Sequence, residues 1–181
     1  MRRDLLPQGN QAFNALAITL VLVLTGCGLF TSPSAQSADS AWQSVAQGMG
    51  VQDWNESLEV SLPDPVGDPL VGETVHILIM NRSDRLIEFP LGYGAKALLY
   101  SQEEHSWIEL TNEMDYVGEE DVLEPRESPA SNWVAQVSVR PAVPSVKEET
   151  ILRLLVIGNV VSTGPSTEER VGAYIDLNIS P

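Results

Sequence analysis

From Ser57 onward, apolar and polar positions alternate with a period of two, the pattern of strands that bury one face. In SLEVSLP, Leu58, Val60 and Leu62 alternate with polar neighbours, and in ETVHILIMN Val75, Ile77 and Ile79 do the same. Six more runs follow: Arg85 to Pro90, Ala95 to Ser101, Ser106 to Leu110, Asn132 to Arg140, Thr150 to Gly158 and Arg170 to Ile179. In the last, Val171, Ala173, Ile175, Leu177 and Ile179 make one apolar face. Turn-forming clusters punctuate the runs at DPVGDP, NRSD, LGYG and STGPST. Before Ser57 the period changes. Trp42, Val45, Ala46 and Met49 fall at helical spacing behind Ser40, with Gly48 as a stop, which predicts a short helix or a turn.

About eight strands with no long helix between them exclude parallel crossovers. They predict an all-β fold, an antiparallel two-sheet sandwich of immunoglobulin-like kind, with an up-and-down barrel as the competing closure. The cysteine pair and corner tyrosine of antibody domains are absent, so the prediction concerns architecture. Pro63, Pro65, Pro69, Pro90, Pro125, Pro129, Pro141 and Pro144 lie at strand ends or in loops, where a missing N–H interrupts no ladder.

Composition narrows the options. The chain has 181 residues, 43% of them hydrophobic, enough for a buried core. A net charge of −15 repels nucleic acid, so no nucleic-acid partner is expected. One cysteine allows no internal disulfide and no zinc site built from paired cysteines.

That cysteine follows MRR and the apolar segment ALAITLVLVL, Ala15 to Leu24. The layout is that of an export signal, and the segment is too short for the roughly 20 residues of a membrane-spanning helix. Leu24, Thr25, Gly26 and Cys27 resemble the lipobox of bacterial lipoprotein signal peptides. The resemblance implies cleavage before Cys27, a diacylglyceryl group on its sulfur and often an acyl group on its new amino terminus. It further implies anchoring to the outer face of the cell membrane or to the outer membrane. Loss of Met1 to Gly26 removes two arginines and one aspartate, taking the charge from −15 to −16.

The expected organisation is a signal peptide over 1–26, a lipidated, flexible tether over 27–56 with the short helix inside it, and a β-sandwich over 57–181. Gly28 to Ser40, GLFTSPSAQSADS, has the Ser, Ala and Pro content of a linker. The stretch from His76 to Leu110 resembles the start of small bacterial sandwich domains related to intracellular proteinase inhibitors of the BsuPI type. That resemblance implies the sandwich and, by extension, inhibition.

Candidate chemistry is sparse. His76 and His105 are the only histidines. The strand pattern places His76 opposite Val75, Ile77 and Ile79 as a satisfied, partly buried residue, and His105 at an exposed hairpin tip. No G-x-S-x-G occurs. Glu113 to Glu127 holds seven carboxylates in fifteen residues without a calcium-loop spacing, so it reads as a solvated loop and no metal or cofactor is expected. Asn55, Asn81 and Asn178 open N-x-S triplets and read as turn and strand-end residues. Trp107 reads as core; Tyr93, between two glycines, is left open. The expectation is a noncatalytic module on a lipid anchor at Cys27, binding the membrane through that lipid and an envelope protein or glycan through its sandwich. An inhibitor of exported proteases is the alternative, with the LGYGA turn or the acidic loop as its inserting element, and an enzyme is third.

Overall fold

Each of the eight alternating runs becomes a strand in the computed structural model, which describes residues 33–63, 73–117, 121–128, 132–162 and 169–181. The export segment with Cys27, all of the DPVGDP turn, the STGPST turn after Ser162, and Glu119 and Glu120 lie outside the described residues. The strands in chain order are β1 (Asp53–Trp54), β2 (Leu58–Ser61), β3 (Val75–Asn81), β4 (Ile87–Phe89), β5 (Lys96–Ser101), β6 (Ser106–Leu110), β7 (Asp121–Leu123), β8 (Val134–Val139), β9 (Thr150–Val160) and β10 (Glu169–Ile179). One α-helix, α1 (Pro33–Gly48), precedes them.

The strands form two open sheets, a sandwich and not a closed barrel. The smaller has the order β2-β3-β8. The larger runs β1-β10-β9, after which β9 pairs with β5 at its start and β4 at its end, and these in turn hold β6 and β7. This is an immunoglobulin-like arrangement: β2, β3 and β8 take the places of strands A, B and E, and β10, β9 and β5 those of G, F and C. Pairing is antiparallel except between β1 and β10, where Asp53 and Trp54 run parallel to Val171 and Gly172. Trp54 can lie flat there because residue 172 is glycine; a Cβ would meet its ring at 2.7 Å.

Between the sheets lies the main core, with Leu58, Ile77 and Ile79 of the smaller sheet facing Leu152, Leu154, Val156, Val171 and Ala173 of the larger. β9 is buried on both faces, since Leu155 and Ile157 point outward into a second apolar layer beneath α1. Burial on both faces explains why TILRLLVIG reads as a continuous apolar run.

The second layer corrects the predicted organisation. Residues 33–54 are not tether: α1 packs on β6 and β9, β1 joins the larger sheet, and the folded unit begins before residue 57. Its stripe is Ala38, Ala41, Trp42, Val45 and Ala46, continued past its end by Met49. The Ser and Ala content that looks like a linker serves here as helix, because alanine has the best intrinsic helix propensity and Pro33 suits a first turn.

Candidate functional site

Arg153 lies at the centre of the layer beneath α1. Its side chain is 1% exposed although its neighbours along β9 are leucines. The register of β9 and β10 puts Asp176 directly opposite, and the pair is bidentate, Nε to Oδ1 and Nη2 to Oδ2, each at 2.7 Å. Asp39 of α1 adds a longer contact at 3.8 Å. Around the guanidinium stand the rings of Tyr174, Trp42 and Trp107, with centroids 3.9, 4.4 and 4.6 Å from Cζ. The negative faces of these rings compensate part of the desolvation that a buried cation suffers.

Trp42 of α1 also meets Trp54, Trp107 and Tyr174 edge to face at 5.1, 6.1 and 5.3 Å. Trp107 Nε1 donates to the Ala38 carbonyl at 2.9 Å, so the helix is held by a hydrogen bond as well as by ring packing. Trp107 is therefore core, as its strand pattern predicts, although its core is the layer beneath α1 and not the space between the sheets. The larger sheet's outer face is occupied by the chain's own helix.

The LGYG turn interrupts the strand beside β9. Between the pairs Glu88–Asn159 and Lys96–Leu155, seven residues of one strand stand opposite three of the other, and the surplus folds into a 3-10 turn at Leu91–Gly94. Gly92 and Tyr93 take left-handed angles, φ 68° and 58°. A Cβ on Gly92 would meet the Tyr116 ring at 2.3 Å, so both angle and space require glycine. The Tyr93 N–H donates to Asp121 at 3.0 Å, and the Tyr116 hydroxyl donates to the Ser138 carbonyl at 2.6 Å while accepting from Asn112 Nδ2 at 2.8 Å. Burial, and then the charge of Asp121, push Tyr93 above the ordinary tyrosine pKa. Tyr116 is raised too, chiefly by burial, against a lowering by its bond from Asn112.

The residues singled out by sequence do not converge. His76 is exposed on β3, not partly buried, and its Nδ1 is 2.8 Å from Ser138 Oγ. His105 is exposed at the β5–β6 hairpin tip with φ 49°. Of the acidic stretch, Asp121 is spent on the Tyr93 N–H. Among the described residues no group of three His, Cys, Asp or Glu side chains is placed to hold a metal ion.

Two residues carry more of the structure than their sequence context suggests. Arg153 is one, and the charge it places inside an apolar strand, with an aspartate in the next, is the signal that marks it. Asn81 is the other: fully buried, its Nδ2 donates to the carbonyls of Arg85 at 2.7 Å and Glu124 at 3.0 Å, and its Oδ1 accepts from the Ser83 N–H at 3.0 Å. It ties the end of β3 to the end of β7.

A groove of about 620 Å³ opens beneath the β5–β6 hairpin. The inward faces of Leu99 and Ile108 form one wall and Pro144, Val146 and Lys147 the other. Gln102 bridges the walls by donating to the Glu149 carbonyl. The smaller sheet does not extend under β6, and Ile108 is left 41% exposed.

No protein-family model and no curated protein matches this chain. Among solved structures, the crystal structure of the E. coli chaperone DraB is similar over 69% of this chain and 55% of its own, at 15% identity and a TM-score of 0.39. The chain spans little more than half of that structure's length. A likeness at that level carries no function across.

Proposed function

We propose that the chain is an exported bacterial lipoprotein, anchored through lipid on Cys27, whose β-sandwich is a noncatalytic module that binds an envelope protein or glycan. The observation that carries it is LTGC, Leu24 to Cys27, whose leucine ends a ten-residue apolar segment with two arginines before it. Two or three acyl chains suffice for stable anchoring where one is marginal. The remaining 155 residues, from Cys27 on, hold a folded domain whose polar side chains of highest burial, Arg153 and Asn81, are consumed in structural contacts.

The inhibitor reading asks for a rigid protruding loop. LGYG is instead packed, with Gly92 buried beneath Tyr116, so binding without inhibition is the reading favoured here.

The test is replacement of Cys27 by Ser in the producing cell. The wild type should pellet with membranes and take up labelled palmitate; Cys27→Ser should lose the label and the processed form. A variant that is processed and sedimented like the wild type defeats the anchoring reading. Photo-crosslinking in intact cells, from probes spread over the sandwich surface, tests the binding role separately.

A further inference from the structure

We propose that the free edge of β6 receives an extended, basic and apolar peptide segment of a partner protein, which adds a strand to the larger sheet and seats an apolar side chain in the groove beside Ile108. This deepens the binding-module reading and rests on it. Among the described residues β6 pairs with β5 alone; a ladder on its other side begins just past it, where the Thr111 carbonyl accepts from the Ala142 N–H at 2.9 Å and Asn112 bridges Pro141, and upstream of that point the edge groups of β6 have no backbone partner. Protected edges carry lysine or proline, or are very short; β6 is SWIEL, five residues with neither. Of the four large apolar residues exposed in the described chain, Leu91, Ile108, Val117 and Val161, Ile108 is the one inside a strand. It adjoins a groove whose volume and apolar lining suit a side chain or two.

Charge decides the occupant. Glu103, Glu104, Glu148 and Glu149 are exposed around the groove mouth and the hairpin tip, and none makes an ion pair within the described chain. Against these four, Lys147 is the one cation lining the groove among the described residues. An approaching strand with lysine or arginine at alternate positions meets complementary charge, while a second copy of this chain would bring its own glutamates against these. Alternation also matches the pleat, because side chains on one face enter the groove while those on the other stay in water.

The probe is a capped seven-residue peptide alternating lysine and valine, with lysine–serine and glutamate–valine peptides as controls, added to the full chain in detergent. Fluorescence anisotropy should show the lysine–valine peptide binding at least about tenfold more tightly than either control, and more weakly as salt rises. Hydrogen exchange should slow at the amides of 106–110. Ile108→Lys should weaken binding about tenfold; Glu103→Gln with Glu148→Gln should weaken it and flatten the salt dependence. Ile108 is half in solvent, so circular dichroism should report an intact fold, and the glutamate pair gives an independent readout should it not. Equal binding of the lysine–serine peptide reduces the effect to charge attraction and overturns the proposal. So does protection elsewhere than β6, or β6 protection without peptide that grows with protein concentration, which means self-pairing. Failure here leaves the binding-module reading standing, since crosslinking in cells judges that one.

Discussion

The buried ion pair of Arg153 and Asp176 is unequal in a way that sets the cost of breaking it. The arginine side chain is 1% exposed and that of the aspartate 37%. Removing the arginine lets the aspartate rehydrate, whereas removing the aspartate strands a cation with only Asp39, 3.8 Å away and mostly in water, to answer it. Asp176→Ala should therefore cost about 3–5 kcal/mol, while Arg153→Met, which keeps the volume among the rings, should cost less than about 2 kcal/mol. Urea melts followed by tryptophan fluorescence read both, and a costlier Arg153→Met would show that the cation–ring contacts outweigh the ion pair. Tyr93 and Tyr116 act at the other end of the pH scale. Each has a folded pKa raised above the unfolded value of about 10, so the stability each contributes is fully present below that pH and lost as pH rises through the folded value. Denaturant melts above pH ~10 should show stability falling, with the fall smaller in Tyr93→Phe and Tyr116→Phe. A fall of unchanged size in both variants would assign it to other groups.

At the scale of elements, α1 determines where the domain begins. Its stripe covers Leu155, Ile157, Trp107 and Tyr174, so a fragment starting at Ser57 leaves that layer open and also loses β1 from the sheet edge. A fragment from Pro33 should melt cooperatively, whereas one from Ser57 should show red-shifted tryptophan emission, bind a hydrophobic dye and unfold at lower urea. Equal melts would return α1 to the role of a tether. The strands were legible because a half-buried strand writes its geometry into every second residue: Leu58, Val60 and Ile77 could be assigned by counting. β1 and β7, two and three residues long, are too short to show a period: β1 is held by the bonds of Asn55, the residue after it, to β10 and by the space that Gly172 leaves for Trp54, and β7 by Asn81 at the end of β3. α1 was half legible. Its second half carries Trp42 and Val45, but over Gln36 to Ser40 Ala38 alone is buried, and small residues that pack against a sheet look the same in sequence as small residues in a linker. Of the candidate site, Trp107 was readable as buried, but the convergence of Trp42, Trp54, Arg153 and Tyr174 depends on the crossing of a helix and three strands and is not written in any local window.

For the whole molecule, the start of α1 changes what the proposed anchor can do. A tether running to residue 56 would let the domain roam some tens of ångströms from the membrane. With the helix beginning at Pro33, six peptide steps separate it from Cys27, and an extended chain covers about 20 Å in that distance at most. A lipid on Cys27 would then hold the body within that reach of the headgroups, about two to three Debye lengths at physiological salt. Without Met1 to Gly26, whose two arginines and one aspartate sum to +1, the remaining chain carries a net charge of −16, all of it in the body, so anionic lipid should push it toward the limit of that reach and added salt should let it relax inward. Neutron reflectometry of the lipidated chain on a supported bilayer measures this directly. The protein layer should begin within about 20 Å of the headgroup plane, move closer on going from low to high salt over anionic lipid, and show no such movement over neutral lipid. Inserting ten Gly and Ser residues before Pro33 should shift and broaden the layer without changing the melting temperature. A native layer standing well beyond about 20 Å, or one that Cys27→Ser leaves in place, is incompatible with an anchor at that residue and a body that starts at α1.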